Sequence, residues 1–145
     1  MAVRILIADD DEQVRGALRF ILEHEGFSVA EAADGIAAAS LARELQPDLA
    51  LLDLSMPRAD GLEAGRAIRE TCPDTILILL TAHSRKHQVI TAFRAGFRGY
   101  VVKSDAPDDL LRAIRDVRAG KTFLSPTASR AVIEQYLPEP DPVPQ

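Results

Sequence analysis

Two hydrophobic periods alternate along the first 120 positions. Short apolar runs occupy residues 3–8, 27–32, 49–53, 75–80 and 99–102. They are too short for helices, and each predicts a strand. Between them the apolar residues step by three and four: Val14, Leu18, Ile21 and Leu22; Ala38, Leu41, Ala42 and Leu45; Leu62, Ala64, Ala67 and Ile68; Val89, Ile90 and Phe93; Leu110, Leu111, Ile114 and Val117. That spacing predicts helices, and places the second and fifth sets on one buried face of each. The start and stop residues agree. Asp34-Gly35 and Asp60-Gly61 open the second and third helices, Ser84 can cap the fourth, and Pro107 suits the first turn of the fifth. Gly26, Gly96 and Gly120 close the first, fourth and fifth, while Pro47 and Pro73 follow the second and third. Gly61, Ala64 and Gly65 would let the third helix pack closely.

The pattern is a strand–helix unit repeated five times. Strands without polar alternation, covered by amphipathic helices, imply a parallel sheet buried on both faces. Right-handed crossovers then give an α/β, doubly wound, three-layer αβα sandwich. The expected sheet has five strands in the flavodoxin-like order 2-1-3-4-5. Residues 1–120 form that domain. After Gly120 the pattern changes. Residues 121–137 read as a linker with a short C-terminal helix, capped at Ser125-Pro126. Residues 138–145 alternate proline with polar or small residues and are expected to be an extended, disordered tail.

Composition narrows the class without changing the architecture. The 145 residues are 47% apolar and 27% charged, which suits one globular domain with its own core. A net charge of −5 argues against a nonspecific nucleic-acid surface. The single cysteine, Cys72, precludes an internal disulfide, fits a reducing compartment and is read as structural. No apolar run approaches ~18 residues and no signal-peptide pattern opens the chain, so no membrane contact and a cytoplasmic location are expected.

The chemistry lies at the strand ends. Strand one ends at Asp9 and Asp10, strand three at Asp53, strand four at Thr81 and strand five at Lys103. In a parallel sheet these ends share one edge, where open α/β sheets bind ligands. Taken singly, each residue has an ordinary explanation. Asp9, Asp10 and Asp11 can be helix-start acids, Asp53 a cap, Thr81 a turn residue and Lys103 a surface charge. Tyr100 can be core packing, and His83 and His87 exposed positions. Jointly they form a set. Carboxylates crowded in one crevice repel, and a hard divalent cation such as Mg²⁺ removes the conflict. Carboxylates, cation, lysine and hydroxyl together make a phosphoryl-binding site. A carboxylate can itself be the nucleophile, and Asp53, at the centre, is assigned that role.

These residues resemble the receiver domain of two-component response regulators. The likeness rests on Asp9-Asp10, on Asp53-Leu54-Ser55-Met56-Pro57, on Thr81-Ala82 and on Gly99-Tyr100-Val101-Val102-Lys103, all in order within residues 1–120. It implies that Asp53 accepts phosphate from a sensor histidine kinase. It implies that Asp10, Asp53 and the Ser55 backbone carbonyl bind Mg²⁺, with Asp9 assisting through water. It implies that Thr81 and Lys103 contact the phosphoryl group, that Thr81 and Tyr100 switch with Tyr100 turning inward, and that a surface of helix four, strand five and helix five carries the output. Such a domain catalyses only its own phosphorylation and dephosphorylation. Many receivers carry proline after the lysine, whereas Ser104-Asp105 follows here. Residues 103–106 and 120–126 resemble the NarL/LuxR-type subfamily, whose members continue into a DNA-binding helix–turn–helix. The expected partners are therefore a sensor kinase, a second copy on phosphorylation, and DNA only through a domain outside this chain. The alternative is a stand-alone receiver acting by protein–protein contact.

Other classes fit less well. A haloacid-dehalogenase-like phosphatase needs a second Asp two residues after the nucleophile, and Ser55 stands there. A flavodoxin needs a Ser/Thr/Gly-rich loop after strand one, where this chain has Asp9-Asp10-Asp11-Glu12. There is no Gly-rich P-loop, zinc-ligand spacing or Ser-His-Asp arrangement.

Overall fold

The computed structural model describes residues 2–82, 85–105 and 107–136. His83, Ser84 and its cap, Ala106 and the Pro-rich segment 138–145 lie outside the described residues. The strands are β1 (Arg4–Ala8), β2 (Ser28–Ala32), β3 (Leu49–Asp53), β4 (Ile76–Thr81), β5 (Gly99–Val102) and β6 (Phe123–Leu124). The helices are α1 (Glu12–His24), α2 (Gly35–Leu45), α3 (Gly61–Thr71), α4 (Lys86–Arg94), α5 (Asp108–Arg118) and α6 (Pro126–Tyr136). Local chemistry sets their ends. Asp11 caps α1 by accepting from the Gln13 and Val14 amides, and Asp34 caps α2 by accepting from Ala37. Asp60 and Glu63 form a reciprocal capping box at α3. Gly26, Gly96 and Gly120 take positive φ just beyond α1, α4 and α5.

All five strand pairings are parallel, and the order is β2-β1-β3-β4-β5-β6. The expectation of five strands is therefore corrected to six. Phe123 and Leu124 pair with Gly99 and Tyr100 of β5, inside the segment read as linker. Two residues are too few to show a period. Their strand character comes from β5, whose outer edge they satisfy, once Gly120 has turned the chain back from α5. The helix predicted after Ser125-Pro126 is present as α6.

The strands' period of two divides the core. Leu6, Ala8, Ala50, Leu52, Leu77 and Leu79 pack with residues of α2, α3, α4 and α6, including Ala38, Ile68, Val89 and Ala128. Ile5, Ile7, Leu49, Leu51, Ile78 and Leu80 pack with Leu18 and Leu22 of α1 and Leu110 and Ile114 of α5. The result is three layers with both sheet faces covered.

The third helix approaches the sheet as its small residues anticipate. A Cβ at Gly65 would lie 2.4 Å from the Phe97 ring, and one at Gly61 would lie 2.5 Å from the Asp53 carbonyl oxygen. Gly16, on the exposed side of α1, has open space around the same position. Gly65→Ala is thus expected to lose about 1–3 kcal/mol by overpacking. Gly16→Ala is expected to gain roughly 0.5–1 kcal/mol from reduced backbone freedom in the unfolded chain. Urea denaturation of both variants checks this, and a Gly65→Ala protein as stable as the parent would contradict the close-packing account.

Candidate functional site

The same period of two that divides the core builds the site. Asp9, Asp53 and Lys103 each lie two residues beyond a residue that packs with α1 and α5, namely Ile7, Leu51 and Val101. All three side chains therefore leave the C-terminal edge on one side of the sheet. β1 and β5 flank the β3–β4 pair, so Lys103 can reach across to both acids. Its Nζ lies 3.0 Å from Asp9 Oδ2 and 3.3 Å from Asp53 Oδ2.

Surrounding groups hold the carboxylates in place. Asp9 is 1% exposed and its Oδ1 accepts the Asp11 amide at 2.9 Å. Arg15 of α1 donates to the Asp9 carbonyl at 2.6 Å and pairs with Glu31 at 3.2 Å, which ties the loop to α1 and β2. Asp53 is 4% exposed, and the Ser55 amide donates to it. The next residue, Leu54, donates to the Leu80 carbonyl at 2.9 Å and accepts from Gly61 at 3.0 Å, so the loop leaving β3 is pinned between β4 and α3.

The charges do not balance. Burial, and then the Asp9 carboxylate, push the Asp53 carboxyl up to about 6, although Lys103 and the Ser55 amide act against the rise. Burial works against the Lys103 ammonium, but the two carboxylates outweigh it and hold its pKa above the ordinary lysine value. Because the Asp53 carboxyl keeps its proton to a higher pH in the folded chain, its charge opposes folding. That contribution grows as pH rises from its ordinary 3.8 toward about 6.

This donor set fits a hard cation. One oxygen each from Asp9, Asp10 and Asp53 lies within 4.8 Å of the others. That closeness suits a small oxygen-ligated ion with bonds of about 2.0–2.1 Å. Asp9 Oδ2 is buried and makes no well-formed hydrogen bond among the described residues, its neighbour being the Lys103 ammonium. An acidic pocket of Asp9, Asp10 and Asp53 that could bind a metal is thus present. Asp10 is its exposed member and faces an open groove of about 600 Å³, shared with Ser55, Met56, Pro57 and Gln88.

Thr81, the last residue of β4, is buried and pairs with Val102, one step beyond the Asp53–Leu80 pair. Tyr100 is fully buried, with its hydroxyl accepting from the Arg85 backbone and its pKa pushed up to about 12 by burial. Its ring is already inside in this structure. The sequence reading missed three neighbours. Arg15 and Gln88 sit on helices with nothing in their spacing to single them out. Asp105 enters the sequence analysis only in the loop after Lys103 and in the subfamily resemblance, with no structural role attached.

The family description of the response regulator receiver domain fits residues 5–115. YhcZ of Bacillus subtilis (strain 168), an uncharacterized transcriptional regulatory protein, is 37% identical over 142 residues, which cover 97% of this chain and 66% of YhcZ. YxjL of the same organism, likewise described, is 34% identical over 137 residues, covering 92% of this chain and 63% of YxjL. The chain thus spans just under two thirds of these relatives' length. Among solved structures, a two-component response regulator of the LuxR family from Aurantimonas sp. SI85-9A1 matches with a TM-score of 0.86 at 36% identity, over 93% of this chain and 98% of that one. The isolated receiver domain of RcsB from Salmonella enterica serovar Typhimurium, in the presence of phosphomimetic BeF3⁻, matches with a TM-score of 0.81 at 28% identity, over 91% of this chain and 99% of that one. No helix among the described residues is long and apolar enough to cross a membrane. The chain belongs to the receiver domains of two-component response regulators.

Proposed function

We propose that Asp53 is the phosphoacceptor of this receiver, in a Mg²⁺-dependent reaction. An oxygen of its carboxylate attacks the phosphorus of a phosphohistidine on a sensor histidine kinase. The P–O bond forms as the P–N bond breaks, and the histidine ring, already protonated at its other nitrogen, leaves as neutral imidazole. The observation that supports this most is the position of Lys103, whose ammonium stands 3.3 Å from Asp53 and 3.0 Å from Asp9. It brings fixed positive charge to the edge where phosphoryl oxygens would carry negative charge. Asp10, Asp53 and the Ser55 backbone carbonyl would hold the Mg²⁺, with Asp9 acting through water. Held there, such an ion would supply positive charge against the phosphoryl oxygens.

Thr81 donates its hydroxyl to the phosphoryl group and forms the switch with Tyr100. The chain acts only on itself, in phosphorylation and dephosphorylation, and serves no other substrate. Its output is a change in the surface of α4, β5 and α5, on which β6 and α6 are laid, and this change favours a homodimer. The description of the relatives as transcriptional regulators supports a role in transcription in the cytoplasm, with DNA reached through a separate domain.

Intact-mass analysis after acetyl phosphate and Mg²⁺ tests the assignment. The parent chain is expected to gain one phosphoryl group, Asp53→Asn none, and chelation of the metal to abolish the gain. An adduct on both proteins refutes the site. Lys103→Ala is expected to keep the fold yet lose phosphorylation-dependent self-association in light scattering, and unchanged self-association would count against its role.

A further inference from the structure

We infer that α6 is an output element of the phosphoryl site, latched by Asp105 to the strand end that carries Lys103. The inference rests on Asp53 being the phosphoacceptor. Two segments of the sequence found no use in the chemistry: Ser104-Asp105 after the lysine, and residues 120–126 after the fifth helix. The structure brings them together. Lys103, Ser104 and Asp105 form a single 3-10 turn at the end of β5. Asp105 Oδ2 accepts the Thr127 amide at 3.1 Å, and Oδ1 accepts the Thr127 hydroxyl at 3.0 Å. The Val102 amide donates to Ser125 Oγ at 3.0 Å, and the Ser125 hydroxyl donates to Asp105. Residues on both sides of the Lys103–Ser104 step therefore bond to the start of α6. Ser125 is fully buried, so this is an internal joint. The Ser125 amide also donates to the carbonyl of Tyr100 at 3.0 Å.

A distant carboxylate capping a helix is, taken alone, an ordinary structural device. What sets this one apart is its position, two residues from the ammonium that senses the site. In the resting chain Lys103 is shared between Asp9 and Asp53. Phosphorylation moves negative charge outward from Asp53 onto the phosphoryl oxygens and draws the ammonium after it. The turn is three residues long, so a displacement at Lys103 reaches Asp105 with little slack. The carboxylate then shifts off Thr127, and the first turn of α6 loses its cap. Because α6 lies against α4, β5 and β6, its release would uncover the α4 side of the receiver.

Hydrogen–deuterium exchange of residues 126–136, with and without acetyl phosphate and Mg²⁺, tests the latch, with intact mass read on the same samples. In the parent chain phosphorylation is expected to speed exchange in the first turn of α6 by roughly tenfold, the size of a lost cap. Asp105→Ala is expected to exchange fast in both states while being phosphorylated at the parental rate. The milder Thr127→Val, which keeps the amide bond, should show a smaller phosphorylation-dependent change than the parent. Unchanged α6 exchange in phosphorylated parent chain overturns the inference but leaves the phosphoacceptor reading intact. A full-sized change persisting in Asp105→Ala or Thr127→Val overturns it equally. Absence of any phosphoryl adduct overturns the phosphoacceptor reading, and the latch with it.

Discussion

Among the described residues, the rim of this sheet sets three carboxylates against the ammonium of Lys103, too little charge to balance them. Asp9, Asp10 and Asp53 share a few ångströms with one ammonium, that of Lys103. Two of the three acids are buried, which removes the water that would otherwise screen them. The fold tolerates this because backbone amides help. Asp11 donates to Asp9 and Ser55 to Asp53. The help is partial, and the raised pKa of Asp53 shows the remaining imbalance. A site in that condition could hold a metal ion.

The rest of the molecule keeps those groups from escaping. A flexible protein would relieve the repulsion by letting the carboxylates drift toward solvent. Here Asp53 is the last residue of a fully buried strand, and the start of α3 sits against its backbone because Gly61 has no side chain to intervene. Arg15 anchors the Asp9 backbone from α1. Lys103 is held by β5, whose outer edge is satisfied by β6. The same ties give the strand end under Lys103 a mechanical connection to α6 through Ser125 and Asp105.

Much of this is legible in the sequence. The strand and helix periods identified the layers, and the two-residue steps from Ile7, Leu51 and Val101 account for why Asp9, Asp53 and Lys103 converge. What stayed hidden has a common cause. β6 is two residues long and owes its existence to a neighbour, so no local pattern could announce it. The bonds from Asp105 to Thr127 span 22 positions, and only the packing of α6 beside β5 creates them. The difference between buried Asp9 and exposed Asp10 depends on where β1 ends against the core, which adjacent identical residues cannot reveal.

The account stands or falls on the claim that the acidic rim is electrostatically strained until a cation enters. The most direct measurement is the melting temperature of the parent chain and of Asp53→Asn at neutral pH, each with and without Mg²⁺. Removing one buried negative charge should relieve repulsion, so without the ion the variant is expected to melt above the parent. With the ion, the parent should rise and the variant should gain much less. A parent chain more stable than Asp53→Asn in the absence of Mg²⁺, or an equal response of both proteins to the ion, would contradict it.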